Sequence, residues 1–208
     1  MKNKQRLDFL REIRGSWTRY FSIMLIVALG VAFFAGVRSS EPDMKISVDE
    51  YYDSVNYYDI RLASTIGFTE EDVKEISETE GVLQAESAYY TEAFYKNDEV
   101  KYVLSLYSVS DSINTLTIRE GRLLEAESEC VIDNNFAENS GVKIGDSITF
   151  TPESGKEIGD SLKADTFTVV GLCTSANFLT FDRGTASIGT GRSDGYVYLK
   201  KGAFKLPV

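Results

Sequence analysis

Three rhythms of hydrophobic and polar positions run along this chain. From Tyr20 to Val37 charge disappears: YFSIMLIVALGVAFFAGV is closed by Arg19 on one side and Arg38 on the other. As a helix rising ~1.5 Å per residue this stretch spans roughly 27 Å, close to a hydrocarbon core of ~30 Å, and it predicts a membrane-spanning helix over 20–37. Before it, Leu7, Leu10, Ile13 and Trp17 recur near helical spacing with Arg11 and Arg14 between them. That pattern predicts an amphipathic helix over 4–18 lying on a membrane surface. After it, Pro42 is expected to break the helix, and Met44, Val48, Tyr51 and Val55 restart the helical period and predict a second amphipathic helix over 43–56, either separate or extending the span above the bilayer.

Beyond residue 56 the rhythm changes to short runs. Asp59–Ser64 alternates like a strand, and Thr69–Asp72 has the form of a capping box opening a helix of about ten residues, with Val73 and Ile76 inward and Gly81 at its end. Val82–Tyr95 and Val100–Val109 read as two strands joined by the polar turn Lys96–Glu99. The order strand, helix, strand, strand implies a split βαβ-type layer over 38–112. From Asn114 onward, Cys130–Asp133, Ser147–Thr151, Thr166–Cys173 and Tyr196–Leu199 read as strands, with a short helix near Asn135–Asn139 and a loop over Ser154–Lys163. DRGTASIGTGRSDG, residues 182–195, predicts an exposed loop. The expected class is therefore α+β: one N-terminal transmembrane helix, then a mixed α/β extracytoplasmic domain with a β-rich subdomain over 113–208.

Two other readings of the apolar run are weaker. A buried soluble helix usually keeps a polar stripe, and none is visible here. A cleaved signal peptide shares the basic front, but its apolar run is normally about 7–15 residues, and Phe33, Phe34, Val37 and Arg38 stand where cleavage wants small residues.

Charge turns the run into a boundary. Residues 1–19 carry a net +4 and residues 38–208 a net −14, within a chain total of −10. The positive-inside tendency puts 1–19 in the cytoplasm, against anionic lipid, and 38–208 outside, at the cell membrane. A strongly acidic outer part excludes nucleic acid as its partner. Inside the span Ala28, Ala32 and Gly36 share one face, where small residues allow another helix to approach closely.

Catalytic chemistry is not evident. The chain has no histidine, which removes the commonest general base and metal ligand. Gly189-x-Gly191-x-x-x-Gly195 has the wrong spacing for a dinucleotide loop, and no phosphate-binding Gly-x-x-x-x-Gly-Lys motif occurs. Glu70-Glu71-Asp72 sits at a helix start, where it complements the dipole. No catalytic residue, cofactor or metal site is expected, and the chain does not read as an enzyme. Cys130 and Cys173 both fall in the outer part, where a disulfide is permitted, yet each lies in an apolar strand-like run; the bonded and free states both stay open.

Several stretches together resemble one family. EIRGSWTRYFSIMLIVALGVAFFAG is similar to the first helix of FtsX/MacB-type ABC transporter permeases. EGRLLEAESECVIDNNFAENSGVKIGDSITF resembles that family's outer-domain signature, with Gly121-Arg122 before one strand and the Gly145-Asp146 turn before the next. DTFTVVGLC, containing Gly171, is similar to the strand that follows. The resemblance implies a permease of at least four spans, a separate cytoplasmic ABC ATPase, dimeric assembly and an outer domain that moves with ATP hydrolysis. Only the first span is present here, so the chain reads as an N-terminal fragment that cannot transport alone. The alternative is a single-span, membrane-anchored extracellular binding protein with no ATPase partner.

Overall fold

The computed structural model describes residues 15–64, 66–97, 100–152 and 161–205. Most of the expected helix over 4–18 lies outside these residues, as do parts of the Lys96–Glu99 turn and the Ser154–Lys163 loop. The chain divides into two compact units between Glu50 and Tyr51.

Helix α1 runs from Trp17 to Ser54, 38 residues, with none of them buried. Its most apolar 18-residue window has a mean hydropathy of 2.3 and is fully exposed, so its length and composition suffice to cross a membrane. Pro42 does not end it, contrary to expectation: the spans over 20–37 and 43–56 merge into one helix. Proline removes a single N–H, and the turn before it is tied by Ser39 and Ser40 hydroxyls donating to the Gly36 carbonyl at 3.1 and 2.9 Å. A Lys45–Glu41 pair at 2.9 Å bridges across the proline on the helix surface.

The second unit is built on one seven-stranded sheet. Its strands are β1 (Tyr90–Asn97), β2 (Val100–Ser108), β3 (Thr117–Gly121), β4 (Glu129–Asp133), β5 (Ser147–Thr151), β6 (Thr166–Thr174) and β7 (Gly195–Leu199). They lie in the order β3-β6-β4-β7-β2-β1-β5, and β5 also pairs with β6, which closes six of the strands into a ring. β2–β7 and β4–β6 are parallel, and the remaining pairs are antiparallel. Strands from both sides of residue 112 thus share one sheet, where two subdomains were expected. The β2–β7 and β1–β5 pairings, which local sequence does not announce, make the difference.

The ring encloses the main core. Ala93, Leu104, Leu106, Cys130, Ile132, Ile148, Phe150, Phe167, Val169, Val197 and Leu199 point inward, and Phe136 and Ala137 of α3 (Asn134–Ser140) pack among them. Burying each large side chain contributes about 1.5–3 kcal/mol. Asp133 caps α3 by accepting from the Asn135 N–H, and Gly141 ends it in the left-handed region. A second cluster, Leu124, Val131, Val170, Cys173, Tyr196 and Tyr198, covers the opposite face. Cys130 and Cys173 are therefore free, buried and on opposite faces of the sheet, which rules out a bond between them.

Helix α2 (Glu70–Ser77) carries the expected capping box between Thr69 and Asp72. Around it the expected strands fail. Asp59–Ser64 is irregular and exposed, and β1 starts at Tyr90, not at Val82. Alternation alone makes no strand without a partner edge. The loop over 182–195 is less exposed than its composition suggests: Arg183, Ile188 and Ser193 are buried, and Thr185 bridges Arg192.

Candidate functional site

The last turn of α1 continues into a clamp within the second unit. Val55 is buried, and its carbonyl accepts from the Thr115 N–H at 2.9 Å. The Asn114 N–H donates to the Asn56 carbonyl at 2.8 Å, and the Asn56 amide returns a bond to the Ser112 carbonyl at 2.8 Å. Among the described residues, Asn56 and Asn114 are the two non-glycines with positive φ, 49° and 53°. Asparagine tolerates that region better than other side chains, so two such residues facing each other let the chain reverse twice within a few bonds. Alongside, Tyr52 stacks on Tyr57 with ring centroids 4.6 Å apart, and Tyr57 on Tyr58 at 4.4 Å. Tyr58 then donates to the Asn177 side-chain carbonyl at 2.7 Å. Burial, with the adjoining Tyr58 hydroxyl, pushes the Tyr57 phenol upward and keeps it neutral.

The family-motif positions gather around the middle of β6. Gly121 and Gly171 face each other across β3 and β6. A Cβ on Gly171 would lie 2.4 Å from the Arg122 carbonyl oxygen, and one on Gly121 would lie 2.3 Å from that of Val170. Only glycine permits this approach, and the Arg122 N–H donates to the Val170 carbonyl at 3.0 Å. The Gly145 N–H reaches the Val169 carbonyl at 2.8 Å, while the Asp146 carboxylate accepts from the Lys143 N–H at 2.9 Å and closes the turn. Arg122 forms a two-pronged pair with Glu129, whose carboxylate also accepts from the Glu125 and Ala126 N–H groups at 2.7 and 3.1 Å. The guanidinium first, then those amides, holds the Glu129 carboxyl at about 2. Gly121, Arg122, Gly145, Asp146 and Gly171 thus meet in one place, and what they do there is join strands.

Ala28, Ala32 and Gly36 lie four residues apart on the continuous α1, exposed, and a Cβ on Gly36 would meet nothing within 4 Å. They lie in the first unit, and the clamp and the motif turns in the second.

Sequence reasoning missed the buried ion pair. Arg183 donates through Nε to Asp133 Oδ2 at 2.5 Å and through Nη2 to Oδ1 at 3.1 Å, with side chains only 7% and 1% exposed. Its remaining reach goes to the Thr180 carbonyl and over the Tyr196 ring, 5.3 Å from the centroid. The available signal was an aspartate ending an otherwise apolar strand, which demands a buried cation somewhere else in the chain. Glu86 is a second hub. It accepts from Lys201 Nζ at 2.6 Å and from the N–H groups of Asp111 and Ile113 at 2.8 and 3.2 Å. Burial works to raise the Glu86 carboxyl, but Lys201 and these amides outweigh it and hold it at about 2. Among the described residues no three His, Cys, Asp or Glu side chains converge on a metal-sized point.

The chain thus combines one helix long and apolar enough to cross a membrane with a domain built on a closed mixed sheet. The MacB-like periplasmic core domain family matches residues 21–205, so the chain belongs to that family, the outer domain of FtsX/MacB-type ABC transporter permeases. Among solved structures it is similar to the extracellular domain of the noncanonic ABC-type transporter YknZ from Gram-positive bacteria. That match has 14% identity and a TM-score of 0.42, over 66% of this chain and 64% of that one. It is also similar to the periplasmic region of MacB from Actinobacillus actinomycetemcomitans, with 11% identity and a TM-score of 0.37, over 64% of this chain and 54% of that one. The chain thus spans less than two thirds of each. No curated protein matches at a significant level.

Proposed function

We propose that the chain is the N-terminal part of an ABC transporter permease subunit whose outer domain couples ATP hydrolysis by a separate cytoplasmic ATPase to export or force transmission. One observation carries the proposal: within a family match over 21–205, the apolar helix runs unbroken to the clamp at 55–58. A helix of 38 residues is about 57 Å long, well beyond a ~30 Å hydrocarbon core, so a rigid extension reaches past the lipid. Residues 1–19 lie in the cytoplasm, 20–37 span the membrane and 38–208 lie outside, following the +4 and −14 flanks. Ala28, Ala32 and Gly36 meet other helices of the same permease, and two permease subunits assemble around the ATPase. The outer domain binds and transmits; it does not catalyse.

The test uses the full-length permease with its ATPase in lipid discs, carrying a fluorophore at an Arg192→Cys position of the exposed loop. ATP is expected to change the fluorescence. Asp49→Pro, in the exposed part of α1, costs on the order of 3 kcal/mol of local helix and is expected to abolish that change while hydrolysis persists. An unchanged nucleotide response in a normally folded Asp49→Pro complex would remove the transmission reading. Labelling of the same cysteine in intact cells checks the orientation, since only an outside loop is reached by an impermeant reagent.

A further inference from the structure

Residues 111–115 form an irregular stretch between β2 and β3, and their five successive N–H groups are taken up at two places. The Asp111 N–H donates to Glu86 Oε1 at 2.8 Å, and those of Ser112 and Ile113 donate to Oε2 at 3.3 and 3.2 Å. The next two, from Asn114 and Thr115, donate to the carbonyls of Asn56 and Val55 at the end of α1. One carboxylate thus holds the first three amides of a run whose last two hold the helix.

Ser112 sits between the two grips. Its hydroxyl donates to Glu86 at 3.3 Å and accepts from the Gln84 amide at 2.5 Å, while its carbonyl accepts from the Asn56 amide at 2.8 Å. Behind Glu86 stands the ring. Lys201, in the short turn that follows β7, donates to Oε1 at 2.6 Å, and the Val109 N–H donates to the Leu199 carbonyl at 2.8 Å. The stretch therefore leaves β2 already tied to the end of β7. An irregular backbone has no ladder to fix it, so its conformation is set by whichever acceptors its amides find. The Glu86 side chain is only 12% exposed, and its charge-assisted bonds are sheltered from competing water.

We propose that Glu86 is the positioning residue of the clamp: its carboxylate fixes 111–113 so that Asn114 and Thr115 grip the end of α1, and Lys201 ties that grip to β7. Movement of α1 then enters the ring at the β2–β7 pair. This consequence rests on the transmission reading; the grip itself does not.

The experiment uses the full 208-residue chain in phosphatidylcholine discs, without an ATPase. A nitroxide at Asp53→Cys, exposed on the last turn of α1, reports the grip, and one at Arg192→Cys reports the ring; Cys130 and Cys173 are buried and stay unlabelled. Glu86→Ala is expected to mobilise the label at 53 and to speed amide exchange over 111–115 about tenfold, while β4, β6 and the label at 192 keep their wild-type behaviour. Glu86→Gln keeps the shape and one accepting oxygen and is expected to fall between; it decides the matter if Glu86→Ala does not fold. Glu129→Ala removes a carboxylate that also accepts from two amides, but beside β4, and is expected to leave 53 and 111–115 unchanged. An unmoved label at 53 in the Glu86 variants, the same response to Glu129→Ala, or exchange that speeds alike through β4 and β6 each overturns the proposal. In the full-length complex Glu86→Ala is expected to blunt the ATP response at 192 while hydrolysis persists. A response lost with Asp49→Pro but intact with Glu86→Ala overturns the coupling role of Glu86. A response intact with Asp49→Pro removes the transmission reading instead, and the grip is then judged by the ATP-free measurements.

Discussion

The ring of strands and the segment over 59–83 have similar local sequence signals and opposite fates. Both contain alternating apolar positions, and the segment has the better helix cap. Yet the ring buries its apolar set almost completely, while residues 59–83 bury none, and every hydrogen bond the segment makes among the described residues is internal. The difference is partnership: each ring strand has at least two neighbours, whereas Asp59–Ser64 pairs with none. Local propensity proposes an element, and distant chain decides whether it exists.

The strongest way to break the comparison is through the ring's buried charge. Asp133→Ala leaves Arg183 buried without its counter-charge and is expected to cost about 3–5 kcal/mol by urea unfolding. A loss below about 1 kcal/mol would mean that the pair is exposed in solution.

Next come the glycines. Gly171→Ala drives a methyl into the Arg122 backbone, where no side chain can rotate away, with an expected cost of about 1–3 kcal/mol. Gly81→Ala, at φ 90° in open space beside α2, meets only the left-handed penalty of about 1–2 kcal/mol, paid in local order and not in global unfolding. Amide exchange separates the two outcomes: Gly171→Ala should speed exchange across β3 and β6, Gly81→Ala only around 76–83.

Glu86 gives a pH test at the border between the regions. Its folded carboxyl is held at about 2, below the ordinary value of 4.5, so the folded state is favoured when the group is ionised. Its stabilisation is fully present above pH ~4.5 and is lost as pH falls toward about 2. Glu86→Gln should flatten that part of the stability profile, and Lys201→Met should shift it upward in pH. The smallest effect is expected at Ile66→Ser and Leu83→Ser, within about 0.5 kcal/mol in thermal unfolding, because neither residue is covered.

What the sequence made legible follows the same division. The edges of β4, β5, β6 and β7, the Thr69 cap and the short helix after Asp133 all rest on local signals of burial, capping and β-branching, and they stand within a residue or two of expectation. That Gly121, Arg122, Gly145, Asp146 and Gly171 lie together beside β6 was not legible, since that takes the folded β3–β6 crossing. β3 itself, TIREG, carries two charges and is largely exposed, so it does not announce a strand, and it exists because β6 offers an edge. Pro42 misled because a proline inside a helix removes only one bond, which neighbouring serines and a long helix tolerate. Arg183 was hidden in a glycine-rich stretch whose composition says loop and whose position says core. The clamp at Asn56 and Asn114 was invisible, because two asparagines 58 residues apart carry no shared pattern.

The closed ring also sets a clock. β2 is completed only by β7, and the first contact between them, Val103 with Asp194, joins residues 91 apart. At a synthesis rate of ~5–20 residues per second, β2 waits roughly 5–18 seconds after leaving the ribosome before its partner has been made. Through that interval an apolar strand stands with an open edge, in a chain already tethered by its first helix. The acidic charge of the emerging segment, which keeps neighbouring nascent chains apart, is then as much a feature of its birth as of its finished surface.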